Sequence, residues 1–126
     1  MLMQQDSSIA PIQNTASGAA QQNVATLAAT AGKTNYLEGF DISGSGATTA
    51  VVIEVTIGGL ASAMKYEFGV AAGATANVNP LAPGYYSVRF PEPLPASGVN
   101  VAITVTVPTF GAGNLNAAVT AFGFQK

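Results

Sequence analysis

The sequence contains one short motif whose residue types could do chemistry, the run Gly32-Lys33-Thr34. These residues close a nucleotide-binding P-loop, in which an earlier glycine lets backbone amides surround the phosphates at the start of a helix. Leu27 occupies the position of that earlier glycine, and the residues after Thr34 alternate as a strand does. The motif therefore predicts a turn in which Gly32 takes a positive φ and Lys33 lies in solvent at a strand junction.

Carboxylates are the second candidate for chemistry. Glycoside hydrolysis needs two acids about 5–10 Å apart in a cleft. Glu54 and Glu67 occupy equivalent positions on neighbouring strand patterns, with Glu38 and Asp41 elsewhere in the chain. Both Glu54 and Glu67 alternate with polar or small residues as solvent-facing positions do, so the pattern favours solvated surface charge over a catalytic pair.

The composition removes most of the remaining catalytic equipment. The chain has no cysteine and no histidine, which excludes most zinc, copper and haem sites and the commonest general base. Serine and threonine hydroxyls without such a base stay unactivated as nucleophiles. We therefore expect no catalytic residue, no metal and no cofactor, and we expect that the protein is not an enzyme.

Charge is unusually sparse along the chain. Four Lys and Arg and six Asp and Glu make up 8% of the residues, against about 25% in ordinary soluble domains. Four scattered cations form no electrostatic footprint for nucleic acid or anionic lipid. We expect neither as a partner, and no small-molecule substrate. The surface is expected to be neutral or covered by other proteins.

The first 23 residues differ in character from the rest. They are rich in Gln, Ser, Ala and Asn, with Leu2, Met3, Ile9 and Ile12 as isolated apolar points. Such a segment buries too little apolar surface to order itself. It predicts an extended N-terminal arm (1–23) that reaches a neighbouring molecule, ahead of a domain at 24–126. A frayed terminus without a role is the alternative.

After residue 23 the apolar residues recur with period two, which indicates strands. The runs "AVVIEVTI", "AMKYEFGV" and "YYSVRF" alternate cleanly. Strict alternation in the run from Asn35 to Ile42 puts Tyr36 and Phe40 on one face, and in "VNVAITVTV" it turns Val99 inward with the later valines. Glycine and proline turns separate the runs. The pattern predicts an all-β protein, a β-sandwich of about seven to eight strands with jelly-roll or immunoglobulin-like connectivity.

Two further stretches are candidate contact surfaces. "NAAVTAFGF" carries Phe122 and Phe124 on one face and small apolar residues on the other, which suggests burial on both sides and hence a subunit contact. "FPEPLPASG" has three prolines that enforce an extended path. A rigid crossover between sheets is the favoured interpretation, and a docking segment containing Pro93 and Leu94 is the alternative.

Three segments together carry a resemblance: "AGKTNYLEGFDISGSGAT" (31–48), "FPEPLPAS" (90–97) and "VAITVTVPTFGAGNLNAAVTAFGFQ" (101–125). Over most of 24–126 the chain resembles the small β-rich decoration, or cement, proteins of tailed-bacteriophage heads. The likeness implies a compact β-domain, a homotrimer, and a position on the outside of the capsid. There it would bind the major capsid protein and stabilise capsomer junctions.

If the likeness holds for function, the contact candidates would form the interface with the capsid. Its members are Leu2, Met3, Ile9, Ile12, Lys33, Pro93, Leu94, Phe122 and Phe124. The chain's start lacks the basic and apolar regions of a signal peptide, so we expect synthesis in the host cytoplasm and a final place on the virion exterior. The alternative function is a receptor- or glycan-binding module of a phage fibre or tail, which would use the same fold class.

Overall fold

A computed structural model describes residues 9–45, 48–70, 85–111 and 116–126. These residues form eight β-strands and contain no helix, which confirms the predicted all-β class. None of the described residues belongs to a helix that is long and apolar enough to cross a membrane. The strands are β1 (Ala10–Ser17), β2 (Asn23–Leu27), β3 (Asn35–Ser45), β4 (Val51–Gly58), β5 (Met64–Val70), β6 (Tyr85–Pro95), β7 (Ile103–Val107) and β8 (Asn116–Gln125).

The strands form two four-stranded sheets. The front sheet has the order β1-β8-β3-β6 and the back sheet the order β2-β7-β4-β5. The antiparallel pairs β1 with β8, β2 with β7, β3 with β6, and β4 with β5 are nested inside one another along the chain. Four nested pairs divided between two packed sheets are the jelly-roll arrangement, so the connectivity left open by the sequence is resolved against the immunoglobulin alternative.

The core lies between the two sheets and is predominantly apolar, with Asn23, Asn35 and Gln125 as the buried polar residues among those described. Alternation with period two produces it, since the inward positions of β4, β7 and β8 are buried and their neighbours are not. Burial of this surface is the main stabilising contribution. The largest fully buried side chains are Phe40, Phe110, Leu27, Leu37, Ile42, Ile53, Ile57, Ile103, Val55, Val105, Val107 and Val119.

A β-bulge in β3 breaks the predicted alternation. The register of β3 against both of its neighbours shifts between Leu37 and Gly39, and the extra residue is Glu38, which is exposed. Leu37 and Phe40 are therefore both buried although they are three residues apart. The prediction that Tyr36 shares a face with Phe40 is wrong, because the bulge leaves Tyr36 on the outer face.

The N-terminal region also differs from the sequence prediction. Leu2 and Met3 lie outside the described residues, but residues 10–17 of the predicted arm form β1, which pairs with β8 over its whole length. The segment is ordered by this pairing, because β8 satisfies its backbone groups. Ile12 and Ala16 also pack against the core.

The prediction that Val99 faces inward is wrong. Val99 is 59% exposed, because it precedes Asn100, which has φ +62° in a turn.

The three prolines lie at the end of β6, the outer strand of the front sheet. An edge position tolerates proline because the missing N–H would face solvent. Residues 90–93 lie opposite Glu38 alone, so the strand bows outward there. Beyond Pro95 the Ala96 N–H donates to Asn35 O and the Ser97 N–H to Gly59 O, and these two bonds lead the chain from the front sheet to the back sheet, as the crossover interpretation expects.

Candidate docking surface

The outer face of the front sheet is the surface on which the sequence's contact candidates meet. We define it by the outward residues of its four strands, which lie in rows across the sheet. In order β1-β8-β3-β6, the rows are Pro11-Phe124-Tyr36-Pro95, Gln13-Phe122-Gly39-Arg89, Thr15-Thr120-Asp41-Ser87 and Ser17-Ala118-Ser43-Tyr85. The first row consists of two aromatic residues and two prolines, and the second contains Phe122 and Arg89. The third and fourth rows are mostly small and polar, with Asp41 as their one carboxylate and Tyr85 as their one aromatic residue.

The first row contains a stacked aromatic pair. The rings of Tyr36 and Phe124 lie 4.8 Å apart between centroids with an interplanar angle of 12°. Each ring therefore covers one face of the other. Pro11 and Pro95 flank the pair in the same row, on β1 and β6. The pair forms because the bulge moves Tyr36 outward to a position directly opposite Phe124. Both side chains stay partly exposed, so they remain available for contact.

The second row is held by a cation–π contact. The Arg89 guanidinium carbon lies 4.1 Å from the centroid of the Phe122 ring, a geometry in which the ring quadrupole attracts the cation. Gly39 lies between them on the central strand. A Cβ at Gly39 would lie 3.1 Å from both the Arg89 Cδ and the Phe122 Cζ and would overlap the Val88 carbonyl oxygen. The glycine therefore leaves the space through which Arg89 reaches Phe122.

The single carboxylate of the rows neutralises the single cation. Arg89 Nη1 donates to Asp41 Oδ1 at 2.8 Å, and Nη2 lies 3.4 Å from Oδ2. This hydrogen bond holds the pKa of the Asp41 carboxyl below its ordinary value, although burial opposes the shift, and raises the pKa of Arg89. The two charges cancel locally, so the outer face carries its arginine without a net charge in its rows.

The ion pair predicts an acid-dependent loss of stability. Because the folded-state pKa of Asp41 is lowered, its contribution is present above the unfolded pKa of about 3.9 and is lost as pH falls through the folded value. We expect Asp41→Asn to reduce the free energy of unfolding by about 1 kcal/mol or less near neutral pH, as partly exposed pairs do. That difference should begin to shrink near the unfolded pKa and should vanish only below the folded-state pKa of Asp41, which is the lower of the two. Denaturation of both proteins across pH measures it, and a pH-independent difference would contradict this account.

The other predicted contact residues lie in different places. Phe122 and Phe124 share the outer face, and Pro93 is exposed at the bowed end of β6. Ile12 and Leu94 instead pack against the core as half-buried residues, so their side chains do not project outward as an interface requires. Ile9 precedes β1 and is half-buried.

The Gly32-Lys33-Thr34 motif forms a turn, as predicted. Gly32 has φ +76°, the Lys33 N–H donates to Thr30 O at 3.0 Å, and β3 rather than a helix follows. The prediction that Lys33 lies in solvent is wrong in part: the residue is partly buried, because its carbonyl accepts from the Asn100 N–H of a second loop. The backbone of this turn therefore connects two loops and offers no helix N-terminus for a phosphate.

The two predicted carboxylates lie together but on an open surface. Glu54 and Glu67 are direct cross-strand neighbours on the outer face of the back sheet, both exposed, and Lys65 Nζ lies 2.9 Å from Glu54 Oε1. Among the described residues, no group of three or more Asp or Glu is placed to hold a metal ion. The arrangement is that of solvated charge, as the alternation indicated.

Sequence reasoning did not place Tyr36 and Pro11 on the outer face, and it did not name Arg89 as a contact residue. Strict alternation, which ignores the bulge, puts Tyr36 on the face of Phe40, and Pro11 falls within the predicted arm. The usable signal was Gly39, since an isolated glycine in a strand pattern marks a bulge or a close approach.

Comparison of the chain with protein-family models and with curated proteins gave no match.

Proposed function

We propose that this protein is a structural component of a tailed-bacteriophage virion, a decoration protein on the outside of the head. In this proposal the outer face of the front sheet binds the major capsid protein and stabilises capsomer junctions. The observation that carries the proposal is the outer face itself. It combines four exposed or partly exposed aromatic residues, Tyr36, Phe122, Phe124 and Tyr85, with one arginine whose charge Asp41 compensates. The exposed carboxylate of Glu38 lies beside Phe122 and Gln13 at the bulge.

This composition fits a protein partner. Aromatic residues and arginine are enriched at the centres of protein interfaces, where uncompensated charge is depleted. The face is one side of a four-stranded sheet, and its central aromatic residues are fixed in position by stacking and by the cation–π contact. Fixed side chains lose little conformational entropy on binding. A lattice also presents many copies of the contact, so a modest affinity at each site gives high occupancy.

The same geometry disfavours a sugar-stacking platform at Tyr36, Phe124 and Phe122. A sugar ring stacks on the free broad face of an aromatic ring, but Tyr36 and Phe124 each cover one face of the other. Arg89 covers one face of Phe122. The jelly-roll fold itself does not decide between the two functions, because both capsid and lectin domains use it.

A charge placed at the edge of the aromatic rows tests the proposal. Gln13 is exposed and directly opposite Phe122, so a variant there leaves the fold intact. We expect both Gln13→Lys and Gln13→Glu to weaken binding to heads at least about tenfold, because either charge would have to be desolvated in the contact. Co-sedimentation with heads lacking the protein, taken from the phage that encodes it, measures the affinity.

The matched control is Val24→Lys, which adds a charge to an exposed position on the outer face of the back sheet. It should bind heads as the unaltered protein does. If only one sign of charge at Gln13 weakens binding, the contact is electrostatic rather than apolar. Equal binding by all three variants would exclude the outer face as the docking surface, and binding to host cells or glycans instead would favour the fibre module.

A further inference from the structure

Three of the four sheet edges in the described structure carry a feature that blocks pairing with another strand. On β6, three prolines remove backbone donors and the bulge bows the strand. On β1, Pro11 removes a donor. On β2, one edge of the back sheet, the Thr26 N–H donates to the Asn14 side-chain Oδ1 at 2.9 Å. Such features prevent edge-to-edge association.

The fourth edge, β5, has one such feature only at its end, where the Gly69 carbonyl oxygen accepts from the Tyr86 hydroxyl. Met64–Val70 contains no proline, and its register with β4 runs without a bulge from Val51 opposite Val70 to Ile57 opposite Met64. Its inward residues Met64, Tyr66 and Phe68 are only half-buried. They belong to an aromatic cluster that spans the side of the sandwich, where Phe68 lies 4.8 Å from Tyr86 of the front sheet between ring centroids.

One hydrogen bond shows which backbone groups of β5 face away from β4. The Tyr86 hydroxyl, on the front sheet, donates to the Gly69 carbonyl oxygen, which indicates that Gly69 directs its backbone groups outward. Direction alternates along an antiparallel strand. The N–H and C=O of Glu67 and Lys65 therefore also point away from β4, where no described strand pairs with them.

We propose that this edge is an interaction surface for a second copy of the chain, with two β5 strands pairing antiparallel about Tyr66. In an antiparallel pair, a residue whose backbone groups point toward the partner strand must lie opposite a residue whose groups point back toward it. Only every second register of the two β5 strands is therefore allowed. Pairing centred on Lys65 places two lysines opposite each other, and pairing centred on Glu67 places two glutamates opposite. Centring on Tyr66 places Lys65 of each copy opposite Glu67 of the other, which is the favourable arrangement.

This register also resolves a local charge conflict. Within one chain Glu67 lies directly opposite Glu54, and among the described residues it has no ion-pair partner. In the pair, Lys65 of the second copy lies directly opposite Glu67 and supplies a positive charge next to the two glutamates. The paired segment runs from Met64 to Phe68, so the Gly69 carbonyl keeps its bond to Tyr86. The half-exposed Met64, Tyr66 and Phe68 gain cross-strand neighbours on the inner side.

Complementary charge-reversal variants test the pairing. Lys65→Glu and Glu67→Lys each make both cross-strand pairs repulsive, so each alone should weaken self-association at least about tenfold. An equimolar mixture of the two should associate again, because every Lys then faces a Glu across the contact. The double variant Lys65→Glu with Glu67→Lys should also associate, because each Glu then faces a Lys of the second copy. Sedimentation equilibrium of the full chain at high concentration measures association, and circular dichroism verifies folding.

Glu92→Lys is the matched control, since it makes the same charge change as Glu67→Lys on the exposed part of β6. It should leave association unchanged. A monomer at every concentration, or an assembly that none of the β5 variants alters, would overturn the proposal, as would a mixture that fails to associate. A trimer as the only species would also overturn it, because a two-fold contact gives even-numbered assemblies. The contact leaves the outer face of the front sheet free and is independent of the proposed function.

Discussion

Gly123→Ala is expected to destabilise the protein by about 4 kcal/mol or more, enough to unfold a domain of ordinary marginal stability. Gly123 lies on β8 directly opposite Leu37. A Cβ there would overlap the carbonyl oxygen of Tyr36 and would lie 2.9 Å from its carbonyl carbon and 3.2 Å from the Leu37 Cα. All three atoms belong to the backbone of the neighbouring strand, so relief requires moving β3 as a whole rather than rotating a side chain.

The sensitivity of Gly123 follows from the bulge. The shift at Glu38 brings the β3 backbone over the inner side of β8, and only a residue without a side chain fits beneath it. The same shift puts Leu37 in the core and Tyr36 beside Phe124 on the outer face. Gly123 is therefore required for the register on which the aromatic rows depend.

Gly69→Ala is the matched control, because Gly69 is also a strand glycine but a Cβ there meets nothing within 4 Å. It should be neutral or stabilise by about 0.5 kcal/mol through the lower entropy of the unfolded chain. Urea denaturation of both variants measures the contrast. Equal stability of the two would contradict the close approach of β3 and β8.

Asn35→Ala is expected to cost about 3 kcal/mol or more of unfolding free energy, since several buried polar groups lose their partner together. Asn35 is 1% exposed. Its Nδ2 donates to the carbonyl oxygens of Leu27, Ala28 and Val101 at 2.9, 3.0 and 3.2 Å. Its Oδ1 accepts from Gln125 Nε2 at 3.0 Å. This one side chain therefore ties the end of β2, the loop before β7 and the C-terminal strand to the start of β3.

A double-mutant cycle with Gln125 sharpens this prediction. Gln125 Nε2 also donates to Thr30 Oγ1 at 2.8 Å and to Ala28 O at 3.2 Å, so the two amides share one network. Losses from Asn35→Ala and Gln125→Ala should be clearly non-additive. As a control, Asn14→Ala removes one exposed hydrogen bond to Thr26 and should cost about 1 kcal/mol or less. Additive losses would contradict a shared network.

The sequence predicts most of the fold because its strands follow the period-two rule. The inward faces of β4, β5 and β6 are as expected, since each has one polar face and an uninterrupted register over the alternating run. Exposure of Glu54 and Glu67 and the positive φ of Gly32 were also predicted correctly. These properties are local, so a single sequence contains the information for them.

The sequence predictions fail where the position of a residue depends on a strand that is distant along the chain. β1 is polar and orders only because β8 pairs with it. The face of Tyr36 depends on a bulge that is accommodated by Gly123, almost ninety residues away. Arg89 reaches Phe122 only across a strand that lies between them in space. Periodicity along one segment carries none of these relations, which is why the outer face was predicted only in part.

The central proposal, a head decoration protein docked through its front sheet, is tested most directly by cryo-electron microscopy of virions from a phage whose genome carries this coding sequence. The account predicts density for the jelly roll on the outer surface of the head. The stacked rings of Tyr36 and Phe124 should face the major capsid protein, and the β4–β5 surface should face away from it. Density in the tail or a fibre, or a head-bound jelly roll seated on its back sheet, would contradict the claim.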